Sequence, residues 1–218
     1  NSDVIIKRVN RLKENINSKV YFMLVPTAIY DKNNKISKYN NSFDEGKTID
    51  YYKEKLNVNF IDVREIFDIN KDDYLYYGTD HHWTTDGAYE AFKYASQELG
   101  FDPSKAKFKE YPVTDKFSGT LESKSGFNVK DDIINVFVPQ DESDVTYLVE
   151  NVSSSKKSAS VFDPDKLETS DKYAVFFGGN YPLLHITTMA GTGKKLLVFK
   201  DSYANSFVPF LIPYYSEI

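Results

Sequence analysis

The apolar positions near the start of the chain follow first a helical and then a strand pattern. Residues 3–17 carry apolar side chains at spacings of four, three and four, which is typical of an amphipathic helix. Residues 20–25 form a continuous apolar run that ends at a proline, as expected for a strand buried on both faces. The same pair of patterns recurs as a helix over about 44–56 and a strand over 58–63. This alternation predicts a parallel sheet covered by helices.

A third helix and two further strands are predicted later in the chain. Thr84 begins a Thr-Thr-Asp sequence with N-cap chemistry, and Gly100 ends a helix that runs to Leu99. Apolar runs at 173–177 and 195–199 have the composition of core strands. Two prolines beyond the second run limit any helix that follows it to a short or kinked one.

Between these core elements, from about residue 112 to 171, the pattern changes to short strand-like runs. A serine-rich and lysine-rich stretch at 153–157 indicates a hairpin loop. The strands are predicted at 133–138, 146–149 and 159–162. We therefore predict one α/β domain over residues 1–218 with a β-rich insertion at 112–171.

Composition excludes several classes of protein. The 218 residues include no cysteine, which excludes disulfide scaffolds, thiolate zinc sites and cysteine nucleophiles. The net charge of −5 argues against nucleic acid as the main ligand. No apolar run approaches the roughly 20 residues that a membrane span needs. Because the chain starts at Asn1 rather than Met and no strand follows its last predicted helix, we expect the natural protein to continue on both sides.

Two of the three histidines, His81 and His82, lie next to the single tryptophan, directly before the third helix. One interpretation is a metal site, because the Asp-His-His triplet is similar to that of the DHH phosphoesterases. Those families carry further aspartate motifs earlier in the chain, whereas the stretch 20–31 offers only Asp31. A closed metal site also needs more ligands than this cluster contains. We therefore predict no metal and no other cofactor.

The second interpretation is a serine hydrolase-like triad. Asp80 stands two residues before His82, so its carboxylate can accept from Nδ1–H and leave Nε2 free as a base. Ser202 follows the apolar run at 195–199 at the start of a predicted helix, where backbone N–H groups can face an oxyanion. Loops that follow parallel strands converge at one edge of a sheet, which can bring the two halves of this site together.

These residues resemble a known family. The sequence Asp80-His-His-Trp83 resembles the signature of the DHHW proteins, relatives of the alginate O-acetylation proteins and of the SGNH-type polysaccharide O-acetyltransferases. Lys200-Asp-Ser-Tyr203 is similar to the Gly-Asp-Ser-Tyr nucleophile block, with Lys in place of Gly. The segments 117–121 and 124–126 also look like family features. The resemblance implies an SGNH-hydrolase-like (flavodoxin-like) three-layer sandwich with a permuted motif order.

The resemblance also implies a role for each site residue. Ser202 would be the nucleophile, His82 the general base and Asp80 the group that orients it. The oxyanion hole would combine the Ser202 backbone N–H with Gly179 and Asn180, which follow the predicted strand at 173–177.

The implied function is transfer of an acetyl group, through an acetyl-serine intermediate, to hydroxyl groups of a cell-wall or extracellular polysaccharide. A membrane-bound O-acyltransferase would supply the acetyl donor, and the domain would work outside the bacterial membrane on an N-terminal anchor. Two alternatives stay open. One is a carbohydrate acetylesterase with the same triad and water as the acceptor. The other is a non-catalytic polysaccharide-binding domain whose aromatic side chains stack on sugars.

Overall fold

The computed structural model describes residues 2–31, 44–70, 73–140 and 145–218. These residues form a mixed α/β fold built on small sheets. The helices are α1 Ser2–Asn15, α2 Ala28–Asp31, α3 Glu45–Lys55, α4 Arg64–Ile69, α5 Thr85–Leu99, α6 Thr120–Ser125 and α7 Ala204–Phe207. The strands are β1 Tyr21–Met23, β2 Asn59–Ile61, β3 Phe108–Phe117, β4 Asp132–Pro139, β5 Tyr147–Asn151, β6 Lys156–Ser158 and β7 Leu184–Thr188. In the described part of the chain, no helix combines the length and the apolar character that a membrane span requires.

The parallel pairing predicted near the start of the chain is confirmed. Strands β1 and β2 pair in parallel, with Phe22 opposite Phe60. Helices α1 and α3 contribute Ile6 and Tyr52 to an apolar cluster on this pair, and the Tyr52 ring stacks 5.7 Å from the Phe22 ring. Helix α3 begins after Asp44, whose carboxylate caps its first turn.

Helix α5 is also confirmed and forms the centre of the largest apolar core. The Thr84 hydroxyl accepts from the Gly87 amide at the start of the helix, and Gly100 ends it in the left-handed conformation with φ 75°. The apolar residues on its inner face are fully buried: Ala88, Ala91, Phe92 and Ala95. The buried helix therefore fixes the position of residues 80–83, which carry the two histidines and directly precede it.

Two antiparallel sheets follow α5. One pairs β3 with β4, and the other has the order β6-β5-β7. These strands extend from Phe108 to Thr188, beyond both ends of the predicted insertion at 112–171. The hairpin turn occupies 152–155, because the two lysines of the predicted loop at 153–157 already belong to β6. Since the described residues form three small sheets, the single three-layer sandwich stays a prediction.

Two of the apolar runs predicted as strands, at 159–162 and 173–177, are not strands. They meet through two backbone bonds, from the Phe177 amide to the Val161 carbonyl at 2.7 Å and from Asp163 to Val175 at 2.8 Å. The second run begins as a 3₁₀ helix, Lys172–Val175, whose last three side chains are buried. A continuous apolar run predicts burial, and here the burial comes from side-chain packing rather than from a sheet.

The predicted core strand at 195–199 is also absent. Among the described residues its one bridge joins Lys195 to Glu217, and the Leu196 amide donates to the Glu217 carbonyl at 2.9 Å. Leu197 and Phe199 are 74% and 80% exposed. The run lacks a strand ladder among the described residues, so its apolar composition alone misled the prediction.

Candidate active site

A buried carboxylate holds the loop that carries the histidines. Asp132, at the start of β4 and 6% exposed, accepts from the Gly78 amide at 3.0 Å and the Thr79 amide at 2.7 Å. It also accepts from the Thr79 and Tyr74 hydroxyl groups. Four donors on one side chain fix the backbone immediately before Asp80.

Replacing Asp132 by Asn is expected to lower the free energy of unfolding by about 2 kcal/mol, because the new NH₂ group faces donors and leaves buried hydrogen bonds unmade. Chemical denaturation followed by circular dichroism measures this change. Asp131→Asn, at the exposed neighbouring position, is the matched control and should leave stability unchanged. Equal effects of the two variants would contradict the anchoring role of Asp132.

The three predicted triad residues form a hydrogen-bonded chain with His82 in the middle. His82 Nδ1 lies 2.5 Å from Asp80 Oδ1, and His82 Nε2 lies 2.7 Å from Ser202 Oγ. Asp80 and His82 are 3% and 5% exposed, so both ends of the imidazole are used inside the protein. This geometry leaves His82 Nε2 placed to accept the Ser202 proton.

The other carboxylate oxygen of Asp80 is held by the start of α6. Asp80 Oδ2 accepts from the Thr120 amide at 2.9 Å and from the Thr120 hydroxyl at 3.0 Å. Burial raises the pKa of Asp80, but the hydrogen bonds from His82 and Thr120 outweigh it and hold this pKa well below its ordinary value. Asp80 is therefore ionised at neutral pH and keeps the proton of neutral His82 on Nδ1.

The His82 ring packs between two other rings. The Tyr173 ring stacks on it at 3.9 Å with an interplanar angle of 9°, and the His81 ring lies 3.9 Å away at 38°. The Tyr173 hydroxyl donates to the Ser202 carbonyl at 3.2 Å. Burial raises the pKa of Tyr173 well above its ordinary value, which keeps the hydroxyl protonated. Tyr173 therefore aligns both His82 and the backbone of Ser202.

Ser202 precedes the short helix α7, which continues as a 3₁₀ helix, Val208–Tyr214. The two prolines of that segment account for the short helix, as predicted. Trp83 Nε1 donates to the Tyr203 carbonyl at 2.9 Å and to the Ser206 hydroxyl at 3.0 Å. Trp83 thus connects residues 80–83, which carry the histidines, to residues 202–206, which carry Ser202.

Of the two predicted oxyanion residues, Asn180 contacts the segment that carries Ser202, through Asn205. Asn205 Nδ2 donates to Asn180 Oδ1 at 3.0 Å, and Lys200 Nζ donates to Asn205 Oδ1. Gly179 has φ 121°, a conformation that other residues rarely adopt. Burial lowers the pKa of Lys200, which stands where the family block has glycine. The role of Gly179 and Asn180 in an oxyanion hole stays a prediction.

Asp80, His81 and His82 also bring possible metal-ligand atoms within 4.8 Å of one another. Both oxygens of Asp80 and both ring nitrogens of His82 are, however, already in hydrogen bonds with protein groups. The cluster suits proton transfer better than a metal site, which would need these atoms as ligands.

Gly119 packs its backbone against Asp80, since a Cβ atom here would lie 2.3 Å from Asp80 Cβ. Sequence reasoning missed four residues of this site: Asp132, Thr120, Gly119 and Tyr173. The similarity of segment 117–121 to family features was a signal for two of them. Asp132 and Tyr173 carried no local signal, because each acts through contacts that are distant in sequence.

Comparisons with known proteins agree with this fold. The family described as DHHW protein matches residues 1–218. A DHHW family protein from Eubacterium siraeum is 25% identical, with a TM-score of 0.80 over 99% of this chain and 74% of that chain. Bacillus cereus PatB1 with a sulfonyl adduct is 20% identical, with a TM-score of 0.79 over 99% of this chain and 76% of that chain. No curated protein matches the sequence.

Proposed function

This chain belongs to the DHHW protein family, and from that premise we propose that it is a serine-dependent O-acetyltransferase acting on hydroxyl groups of a cell-wall or extracellular polysaccharide. One observation carries the proposal: the continuous hydrogen-bonded chain from Asp80 through His82 to Ser202. A serine so placed beside a base is the arrangement that covalent acyl transfer requires.

In the first half of the reaction, Ser202 Oγ attacks the carbonyl carbon of an acetyl donor while His82 Nε2 takes its proton. The tetrahedral oxyanion is stabilised by the Ser202 N–H, the Asn180 side chain and the Gly179 N–H. The Gly179 N–H donates to the Phe176 carbonyl at 3.3 Å and has to leave that bond to reach the oxyanion. The bond to the donor's leaving group then breaks, and that group takes the proton from His82. Acetyl-Ser202 remains.

In the second half, a sugar hydroxyl group gives its proton to His82 Nε2 and attacks the acetyl carbonyl. Ser202 leaves with the same proton, and the sugar carries the acetyl ester. Ionised Asp80 stabilises the imidazolium ion in both halves. Delivery of the donor by a membrane-bound O-acyltransferase, and a location outside the membrane, are further parts of the proposal that follow from the family resemblance.

Acetyl labelling of the unmodified protein tests the function. Incubation with p-nitrophenyl acetate is expected to add one acetyl group, and peptide mapping should place it on Ser202, because among the residues that the structure describes it is the Ser202 hydroxyl that contacts His82 Nε2. Prior treatment with phenylmethylsulfonyl fluoride, chosen because PatB1 carries a sulfonyl adduct, should block the label.

The same experiment separates the alternatives. A folded protein without any label would contradict both catalytic interpretations and favour glycan binding. Label that is lost equally fast with and without added oligosaccharide would favour the esterase. Faster loss with acetylated oligosaccharide as the product would support the transferase.

A further inference from the structure

His81 lies over the outer side of the proposed base. The Tyr173 ring stacks on the His82 ring at 9°, and the His81 ring is tilted by 38° at the same centroid distance of 3.9 Å. Two rings this close to the His82 ring would overlap on one face of it, so they occupy opposite faces. Tyr173 on one face is 5% exposed, whereas the His81 side chain on the other is 47% exposed. His81 therefore borders the space from which an acceptor approaches His82.

The hydrogen bonds of Thr120 define which nitrogen of His81 is free. The Thr120 hydroxyl has one proton and donates it to Asp80 Oδ2, so it can only accept from His81 Nδ1, 2.8 Å away. The proton of neutral His81 is thus on Nδ1 and the lone pair is on Nε2. Within the described ranges, no residue hydrogen-bonds to this Nε2.

The charge state of His81 suits the same role. Desolvation, together with the neighbouring His82, lowers the pKa of His81 below its ordinary value. The imidazole is therefore neutral at neutral pH and its Nε2 is an acceptor, ready for a hydroxyl proton from outside the protein.

We propose that His81 Nε2 binds a second hydroxyl group of the acceptor, beside the hydroxyl that gives its proton to His82 Nε2. The attacking hydroxyl has a single proton and needs it for His82, so the two nitrogens must serve two different hydroxyl groups. Both Nδ1 atoms lie near Asp80 Oδ1, at 2.5 Å for His82 and 3.6 Å for His81, so both Nε2 atoms lie on the side away from it. The ring centroids are 3.9 Å apart, a separation that hydroxyl groups on adjacent carbon atoms can span. The acceptor class is thus a sugar unit with vicinal hydroxyl groups, an inference that rests on the proposed acetyltransferase function.

A matched pair of small acceptors tests the inference. The acetyl-enzyme is formed with p-nitrophenyl acetate, confirmed by mass, and offered cyclohexane-1,2-diol or cyclohexanol. We expect the wild type to acetylate the diol roughly tenfold faster per hydroxyl group, the effect of one added hydrogen bond. His81→Phe keeps a ring over His82 but has no acceptor, so its diol-to-alcohol ratio should fall to about one.

His81→Gln supplies the opposite control, because it loses the ring and keeps a side-chain oxygen that accepts. It should retain part of the diol preference. A wild type without diol preference, or a His81→Phe variant that keeps it, would overturn the inference. The inference would also be overturned if His81→Gln lost the diol preference while His81→Phe kept it, because His81 would then act only by stacking. A wild type that forms no acetyl-enzyme would instead refute the proposed function itself, which the mass measurement shows before any acceptor is added.

Discussion

Asp80→Asn is expected to lower the rate of acetyl-enzyme formation about 10⁴-fold. Each oxygen of Asp80 accepts from a backbone N–H, one from His82 and the other from Thr120. An asparagine has only one oxygen, so its NH₂ group must face one of these donors. The ionised group that holds the proton on His82 Nδ1 and stabilises the imidazolium ion is also lost. The release of p-nitrophenol in a single turnover measures the rate.

The pH dependence of stability separates this effect from unfolding. The folded-state pKa of Asp80 is depressed, so its carboxylate stabilises the fold fully above the ordinary aspartate value of about 3.9. That contribution disappears only as the pH falls through the lower folded-state pKa. The wild type should therefore be more stable than Asp80→Asn throughout the range from about pH 8 to pH 5, and the part of the difference that comes from the carboxylate should disappear only at lower pH, as Asp80 takes up its proton. A rate loss under tenfold in the folded variant would remove Asp80 from the proposed triad, and Asp131→Asn is the control.

Local sequence signals predicted the elements that depend on local physics. The amphipathic period predicted α1, the Thr84 and Gly100 caps bounded α5, and the alternation of helix and strand predicted the parallel pairing of β1 with β2. Each depends on hydrogen bonds or apolar faces within one segment or between neighbouring ones. The prolines after Ser202 likewise predicted a short helix.

The apolar runs at 173–177 and 195–199 show where such signals fail. The first is buried because its side chains pack in one cluster with Phe117 and Ile134, which are distant in the chain. The second has the composition of a core strand, and yet Phe199 is 80% exposed. An apolar run predicts burial, but it does not predict which part of the chain will pack against it.

The candidate site divides in the same way. The spacing of Asp80 and His82 and the family resemblance of the Ser202 block predicted three side chains that the fold brings together. Their supports, Asp132 and Thr120, come from the β-rich half of the chain. Such supporting residues make hydrogen bonds to or from backbone amides. Because every residue except proline has a backbone amide, these bonds leave no recognisable sequence pattern. They become visible only once the fold is known.

Gly119→Ala is expected to damage both stability and activity, although alanine is a conservative change. A Cβ atom at this position would lie 2.3 Å from Asp80 Cβ and 2.7 Å from Asp80 Oδ2, closer than real contacts allow. The φ of Gly119 is −92°, so the cost is steric and not conformational. Either Asp80 or the start of α6 must move, which breaks the bonds from Thr120. We expect a loss of about 2 kcal/mol in unfolding free energy and of about 10²-fold in acylation rate.

The amplitude of the p-nitrophenol burst distinguishes misplacement from unfolding. If Gly119→Ala displaces Asp80 in a folded protein, the burst amplitude stays near one per molecule and only its rate falls. Gly46→Ala is the matched control, because the new Cβ would meet its nearest atoms at 3.5 and 3.6 Å, which is ordinary contact. Its rate should match that of the wild type, and its stability should be equal or slightly higher, because alanine favours the helical conformation more than glycine does. A Gly119→Ala variant that acylates at the wild-type rate would show that Asp80 tolerates displacement, and the close fit between this glycine and the carboxylate would then have no part in catalysis.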